Sequence, residues 1–152
     1  MSGLFENLSQ ASETAPGFIN RIVSANPINN ELAFGDAALR HWELLGKELQ
    51  QDIDAFNDHA GSVSFDEPGP MKYRIRNPDS GLEVRIDAEI GSHIVRYEFA
   101  RMNDNSAGAP EGGILSMRMG RSGVEFYSAD RPLTAQEARS LLLDPVLNSA
   151  RL

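Results

Sequence analysis

The stretch Leu82-Glu83-Val84-Arg85-Ile86-Asp87-Ala88-Glu89-Ile90-Gly91-Ser92-His93-Ile94-Val95-Arg96-Tyr97-Glu98-Phe99 decides the fold. From Leu82 to Ile90, apolar residues alternate with Glu83, Arg85, Asp87 and Glu89, the period of a strand with one buried face. Gly91-Ser92 reads as a two-residue type II′ hairpin turn, with glycine where positive φ is needed. Pairing Ile90 with His93 sets Ala88 against Val95, Ile86 against Tyr97 and Val84 against Phe99 on one face. On the other face Asp87 meets Arg96 and Arg85 meets Glu98. Two facing pairs of opposite charge support that register.

The same period continues on both sides. Met71–Asn77 alternates Met71, Tyr73 and Ile75 against Lys72, Arg74 and Arg76, and Pro78-Asp79-Ser80-Gly81 is a turn by composition. Ser62–Asp66 is a further short strand, cut off by Pro68-Gly69-Pro70. Beyond the loop-like Asn103–Gly113, Ile114–Met119 and Val124–Ser128 flank Gly120–Gly123 as a hairpin. Met117 then faces Phe126, and Arg118 faces Glu125. Six strands joined mainly by short turns make an antiparallel meander with one apolar face.

That face is about 25 Å wide, too broad for one helix of about 10 Å. The sequence supplies two. From about Asp36 to Asp58, Leu39, Trp42, Leu45, Leu49, Ile53 and Phe56 recur at spacings of three and four, with Asp36 as N-cap and Gly61 as the stop. Trp42, central in that stripe, is a packing residue, and His41 lies at the stripe's edge. The second helix opens with the capping box Thr134–Glu137, staples Leu133 to Ala138, and ends at Asp144-Pro145. Ahead of both, residues 1–30 carry two short apolar helical stripes, Leu4, Phe5, Leu8, Ala11 and Phe18, Ile19, Ile22, Val23, the second ended by Asn26-Pro27. The expected organisation is a helical arm, 1–30, and a single α+β domain, 31–152, with both helices on one face of the sheet.

The chain has 152 residues, one domain's worth, and no cysteine, which excludes disulfides, thiolate metal sites and cysteine nucleophiles. The net charge of −8 lies wholly in residues 1–70, where 11 acids face Arg21, Arg40 and Lys47; residues 71–152 balance. A net-acidic chain is a poor binder of nucleic acid or anionic membranes. No apolar run is long enough to span a bilayer, no secretory signal precedes the first strands, and the expected compartment is the cytoplasm.

No phosphate loop, nucleophile elbow or metal-ligand spacing is present, so no catalytic motif, cofactor or metal is expected. His93, Tyr73 and Tyr97 fall on the apolar face and are candidates to line a small-ligand pocket. Asp52, Asp54, Asp58 and His59 crowd the last turns of the long helix, where carboxylates oppose the helix dipole. They are candidates to bind a basic partner. The row Lys72, Arg74, Arg76 is the local positive cluster, with Glu83 and Asp87 placed to neutralise it. Two readings stand. One is a non-catalytic protein-interaction module of adaptor, chaperone or inhibitor type, binding another protein or a second copy of itself. The other is a small-ligand-binding domain, or an enzyme, with its pocket between sheet and helices.

Overall fold

The computed structural model describes residues 27–103 and 108–148. The helical stripes expected before residue 27 lie outside the described residues. Helix α1 spans Pro27–Ala60. Strands come next as β1 Ser64–Gly69, β2 Lys72–Asn77, β3 Leu82–Glu89, β4 Ile94–Arg101, β5 Gly113–Gly120, β6 Gly123–Ser128 and β7 Arg131–Leu133, and α2 is Ala135–Asn148. The chain divides after Asp36, and the packing of helices on sheet belongs to the unit Ala37–Leu152.

The long helix starts nine residues before the expected N-cap. Pro27, expected to end a helix, opens one, because the first turn does not need its missing N–H. Asp36 is therefore interior, not a cap, and Gly35 is carried along at a propensity cost of about 1 kcal/mol. The buried stripe is Ala38, Trp42, Leu45, Leu49 and Ile53, each at most 4% exposed. The helix ends where expected. A Cβ on Gly61 would lie 2.7 Å from the Phe56 ring, and the Asn57 amide bonds both backbone groups of Val63 at 2.9 Å. That amide fixes where the chain enters the sheet.

The sheet is one antiparallel meander in chain order, with seven strands rather than six among the described residues. The register of β3 and β4 is the expected one: Ala88–Val95, Ile86–Tyr97 and Val84–Phe99 inward, Asp87–Arg96 and Arg85–Glu98 outward. The turn between them is not type II′. Ile90–Ser92 forms a 3-10 turn, and the left-handed residue is His93 at φ 58, not Gly91. A four-residue loop closed by Glu89–Ile94 preserves the same register as a two-residue loop closed by Ile90–His93. Strand β5 faces β6 with Met117–Phe126 and Arg118–Glu125, also as expected.

The two sheet faces differ sharply. Inward, Tyr73, Ile75, Val84, Ile86, Val95, Leu115, Met117 and Phe126 are buried against the helices. Outward, ion pairs cross the strands: Asp66–Arg74, Arg76–Glu83, Lys72–Asp87 and Glu89–Arg96. The basic row is thus neutralised, by Asp66 as well as by Glu83 and Asp87. Asp87 and Arg96 face each other, yet their ion pairs run to Lys72 and Glu89. One outward residue departs from the solvated face expected. Glu83 is only 5% exposed, lying between Arg76 and Arg85, whose long stems cover it.

Helix α2 begins with the expected capping box: Thr134 N–H donates to Glu137 Oε1 at 2.8 Å, and Glu137 N–H to Thr134 Oγ1 at 3.0 Å. Leu133 and Ala138, the staple pair, are both buried. Pro145 does not end the helix, which runs on to Asn148. Proline removes one backbone donor, and the next residue holds the turn. Val146 is fully buried, and its carbonyl accepts from the buried Asn77 amide at 2.9 Å. The two helices are tied side by side through Arg139, which donates to Asp52 at 2.7 Å and Glu48 at 3.2 Å.

Candidate functional site

Of the three pocket candidates, Tyr73 and Tyr97 lie on the inward side of the sheet and are put to separate uses. Tyr73 is 3% exposed, and its ring stacks on Trp42 at 4.0 Å with 9° between the planes. Its hydroxyl donates to the Trp42 carbonyl at 2.9 Å. Burial, with the charges of Glu67 and Glu43 adding to it, pushes the phenol up to about 12. Tyr97 sits two strands away, flanking Ile86, with its ring against Gly113 and edge-on to Phe99 at 5.9 Å. Burial raises its phenol as well. His93 occupies the left-handed turn position at the end of the β3–β4 hairpin.

The acidic candidates divide similarly. Asp52 is half-buried and bound to Arg139, so it holds the helix pair together. Asp54 accepts from Gln50 at 3.0 Å, one turn back. Asp58 and His59 are exposed at the helix end. Among the described residues no three His, Asp or Glu side chains converge as metal ligands would.

A different place is open. Between α1, β6 and the β7–α2 turn lies a cleft of about 370 Å³ lined by His41, Val124, Glu125, Phe126, Leu133 and Thr134. It adjoins a smaller recess where His41 and Phe126 meet Leu44 and Ala135. The cleft exists because β7 is short. Its three residues pair with β6 only at Phe126, Tyr127 and Ser128, and the capping box then turns the chain into α2. Among the described residues no strand lies beyond Val124 and Glu125. Apolar groups gather at its margins: Leu44 is 48% exposed, and Met119, which faces Val124 across the hairpin, is 53% exposed.

His41 forms one wall, its ring centroid 4.6 Å from that of Phe126. Burial lowers its pKa below the ordinary 6.5, against the opposing pull of Glu48 and Glu125. Linkage turns this shift into a stability effect. As pH falls below 6.5 the unfolded chain takes up this proton before the folded one, so folding weakens until the folded imidazole is also charged. His41→Phe should therefore flatten the change in urea midpoint between neutral pH and about pH 5.5. An NMR titration of wild type should place the His41 midpoint below the ordinary 6.5. A His41 midpoint at or above 6.5 would refute the burial.

The sequence missed this site because β7 is three residues with Pro132 at its centre, below the length of a legible strand. A usable signal was there. The capping box fixes where the chain leaves the sheet, and Val124–Ser128 is longer than anything that could pair with it before Thr134.

Comparison with protein-family models, curated proteins and solved structures finds no significant match. No helix among the described residues is long and apolar enough to cross a membrane.

Proposed function

We propose that this protein is a non-catalytic protein-interaction module that holds an apolar segment of a partner protein in the cleft between α1, β6 and the β7–α2 turn. The observation that carries the reading is the cleft itself: a mainly apolar recess, with exposed Leu44 in the smaller recess beside it and exposed Met119 facing Val124 across the hairpin. Exposed apolar groups rimmed by polar ones mark interaction sites more often than accidents of packing. The polar side chains that could do chemistry support it from the other direction. Tyr73 is spent on the Trp42 carbonyl, Asp52 and Glu48 on Arg139, and Glu83 on two arginines.

The small-ligand reading draws its support from the cleft volume of about 370 Å³, which falls in the range of ligand pockets, about 300–1,000 Å³. The exposed apolar Leu44 and Met119 nearby make the protein-partner reading the better supported.

Leu44→Glu combined with Met119→Glu places charge on both margins at positions that are already half exposed. Thermal unfolding should stay within a few degrees of wild type. A partner protein retained by immobilised wild type should be lost from the double variant. Retention of the same partner by both would overturn the reading.

A further inference from the structure

His41 is the titratable side chain common to the cleft and to the recess beside it. Its ring leans on Phe126 with 48° between the planes, so the imidazole is part of an otherwise mainly apolar wall. It forms no hydrogen bond or ion pair among the described residues, yet neither ring nitrogen is buried without a partner. Those nitrogens therefore reach the solvent of the open cleft. The charged groups around the ring come from three elements. Glu48 stands on α1 itself and accepts from Arg139 of α2 at 3.2 Å. Glu125 comes from β6, its carboxylate held close against Gly120 of β5. The β7–α2 turn brings Pro132, Leu133, Thr134 and Ala135, none of them titratable, and the Glu137 carboxylate is taken by the Thr134 N–H.

We propose that a proton gates this cleft: it holds an uncharged apolar segment while the His41 imidazole is neutral and releases that segment when the ring becomes an imidazolium. The inference rests on the protein-partner reading and adds its regulation. An apolar side chain seated against Phe126 and Leu133 lies against the imidazole as well, and displaces the water its nitrogens use. Losing that water costs a charged ring far more than a neutral one. The two carboxylates that favour the charge are held elsewhere, Glu48 at Arg139 and Glu125 over Gly120, and burial already outweighs them before the cleft is covered. Binding and protonation therefore compete, and by linkage each weakens the other by the same factor. The bound ring titrates below the free one, so affinity is complete above the free midpoint and falls as pH drops through it.

The probe is the peptide acetyl-Ser-Leu-Phe-Leu-Ser-amide, which has no titratable group, so any pH dependence belongs to the protein. It is titrated into full-length ¹⁵N-labelled protein at about pH 7.5 and about pH 5.5, and the His41 ring signals are followed across that range with and without peptide. Shifts should centre on the Val124 and Phe126 amides and the His41 ring. Affinity should fall about threefold or more at the lower pH, and saturating peptide should lower the His41 midpoint to match, at about tenfold per pH unit. His41→Phe and His41→Gln should each bind with the same affinity at both pH values. A wild-type affinity that does not change with pH, with the same cleft amides shifted, overturns the gate and leaves the partner reading standing. A loss of affinity shared by both variants also overturns it, because the titrating group then lies elsewhere. So does a peptide that shifts no cleft amide at either pH. The partner reading is judged on its own experiment, and fails if a partner protein survives on the Leu44→Glu, Met119→Glu variant.

Discussion

Trp42→Ala should destabilise the protein by about 3–5 kcal/mol, the range for truncating a buried tryptophan. Trp42 is 2% exposed and lies midway along the stripe that α1 buries. Its indole stacks on Tyr73, and its carbonyl receives the Tyr73 hydroxyl. Removing the ring deletes apolar burial, leaves a cavity, and frees the phenol from the surface that orients it. A domain of this size has about 5–15 kcal/mol in total, so the variant should approach the folding threshold. Urea unfolding checks this through the midpoint. In wild type the indole should also be shielded from iodide and acrylamide. A variant within about 1 kcal/mol of wild type, with a wild-type indole open to quenchers, would place Trp42 on the surface.

The position of Trp42 is legible in the sequence because a helix on a sheet has only one way to bury a stripe of period 3.6. The sheet is legible for a related reason. A slip of one residue would turn Val84, Ile86 and Val95 outward, so alternation and the burial of one face together determine the register. That is why the β3–β4 pairing is the expected one although its turn is not. Register depends on the sum of paired positions, and two loop conformations satisfy the same sum. The departures at the helix ends share a cause. Pro27 and Pro145 read as stops, whereas proline only forbids one hydrogen bond and restricts its predecessor. Tertiary contacts at Val146 and Asn77 decide whether a helix continues through it. The burial of Glu83 is invisible in the sequence because alternation assigns a face, while the long stems of Arg76 and Arg85 decide whether that face is wet. Among the candidate site residues, Tyr73 and Asp52 are polar groups at positions that the pattern marks as unusual. Each has a local partner, the Trp42 carbonyl and Arg139, that single-sequence patterns do not display.

Gly46→Ala should be destabilising at a helical position where propensity alone favours alanine by about 1 kcal/mol. Gly46 is buried one turn beyond Trp42, and a methyl group there would overlap the hydroxyl oxygen and Cζ of Tyr73. Trp42 lies on the face of the ring and Phe65 is tilted against it at 5.3 Å, so the ring can retreat only by giving up these contacts. Overpacking costs about 1–3 kcal/mol, and a buried hydroxyl pushed off its acceptor about 1–3 kcal/mol more. Against the propensity gain, the net loss should be about 1–5 kcal/mol. Two readouts separate this account from a general intolerance of the helix. In wild type the Tyr73 phenol titrates at about 12, held there chiefly by burial. Because the folded value exceeds the ordinary 10, this stability is complete below pH 10 and is lost as pH rises toward 12. In the Gly46→Ala variant the most alkaline tyrosine absorbance step should move back toward 10. The second readout is a double-mutant cycle with Tyr73→Leu. With the phenol absent the methyl has room, so Gly46→Ala should become neutral or mildly stabilising in that background. Equal losses in both backgrounds would mean that the glycine is required by something other than Tyr73, and the close contact between α1 and β2 would have to be abandoned.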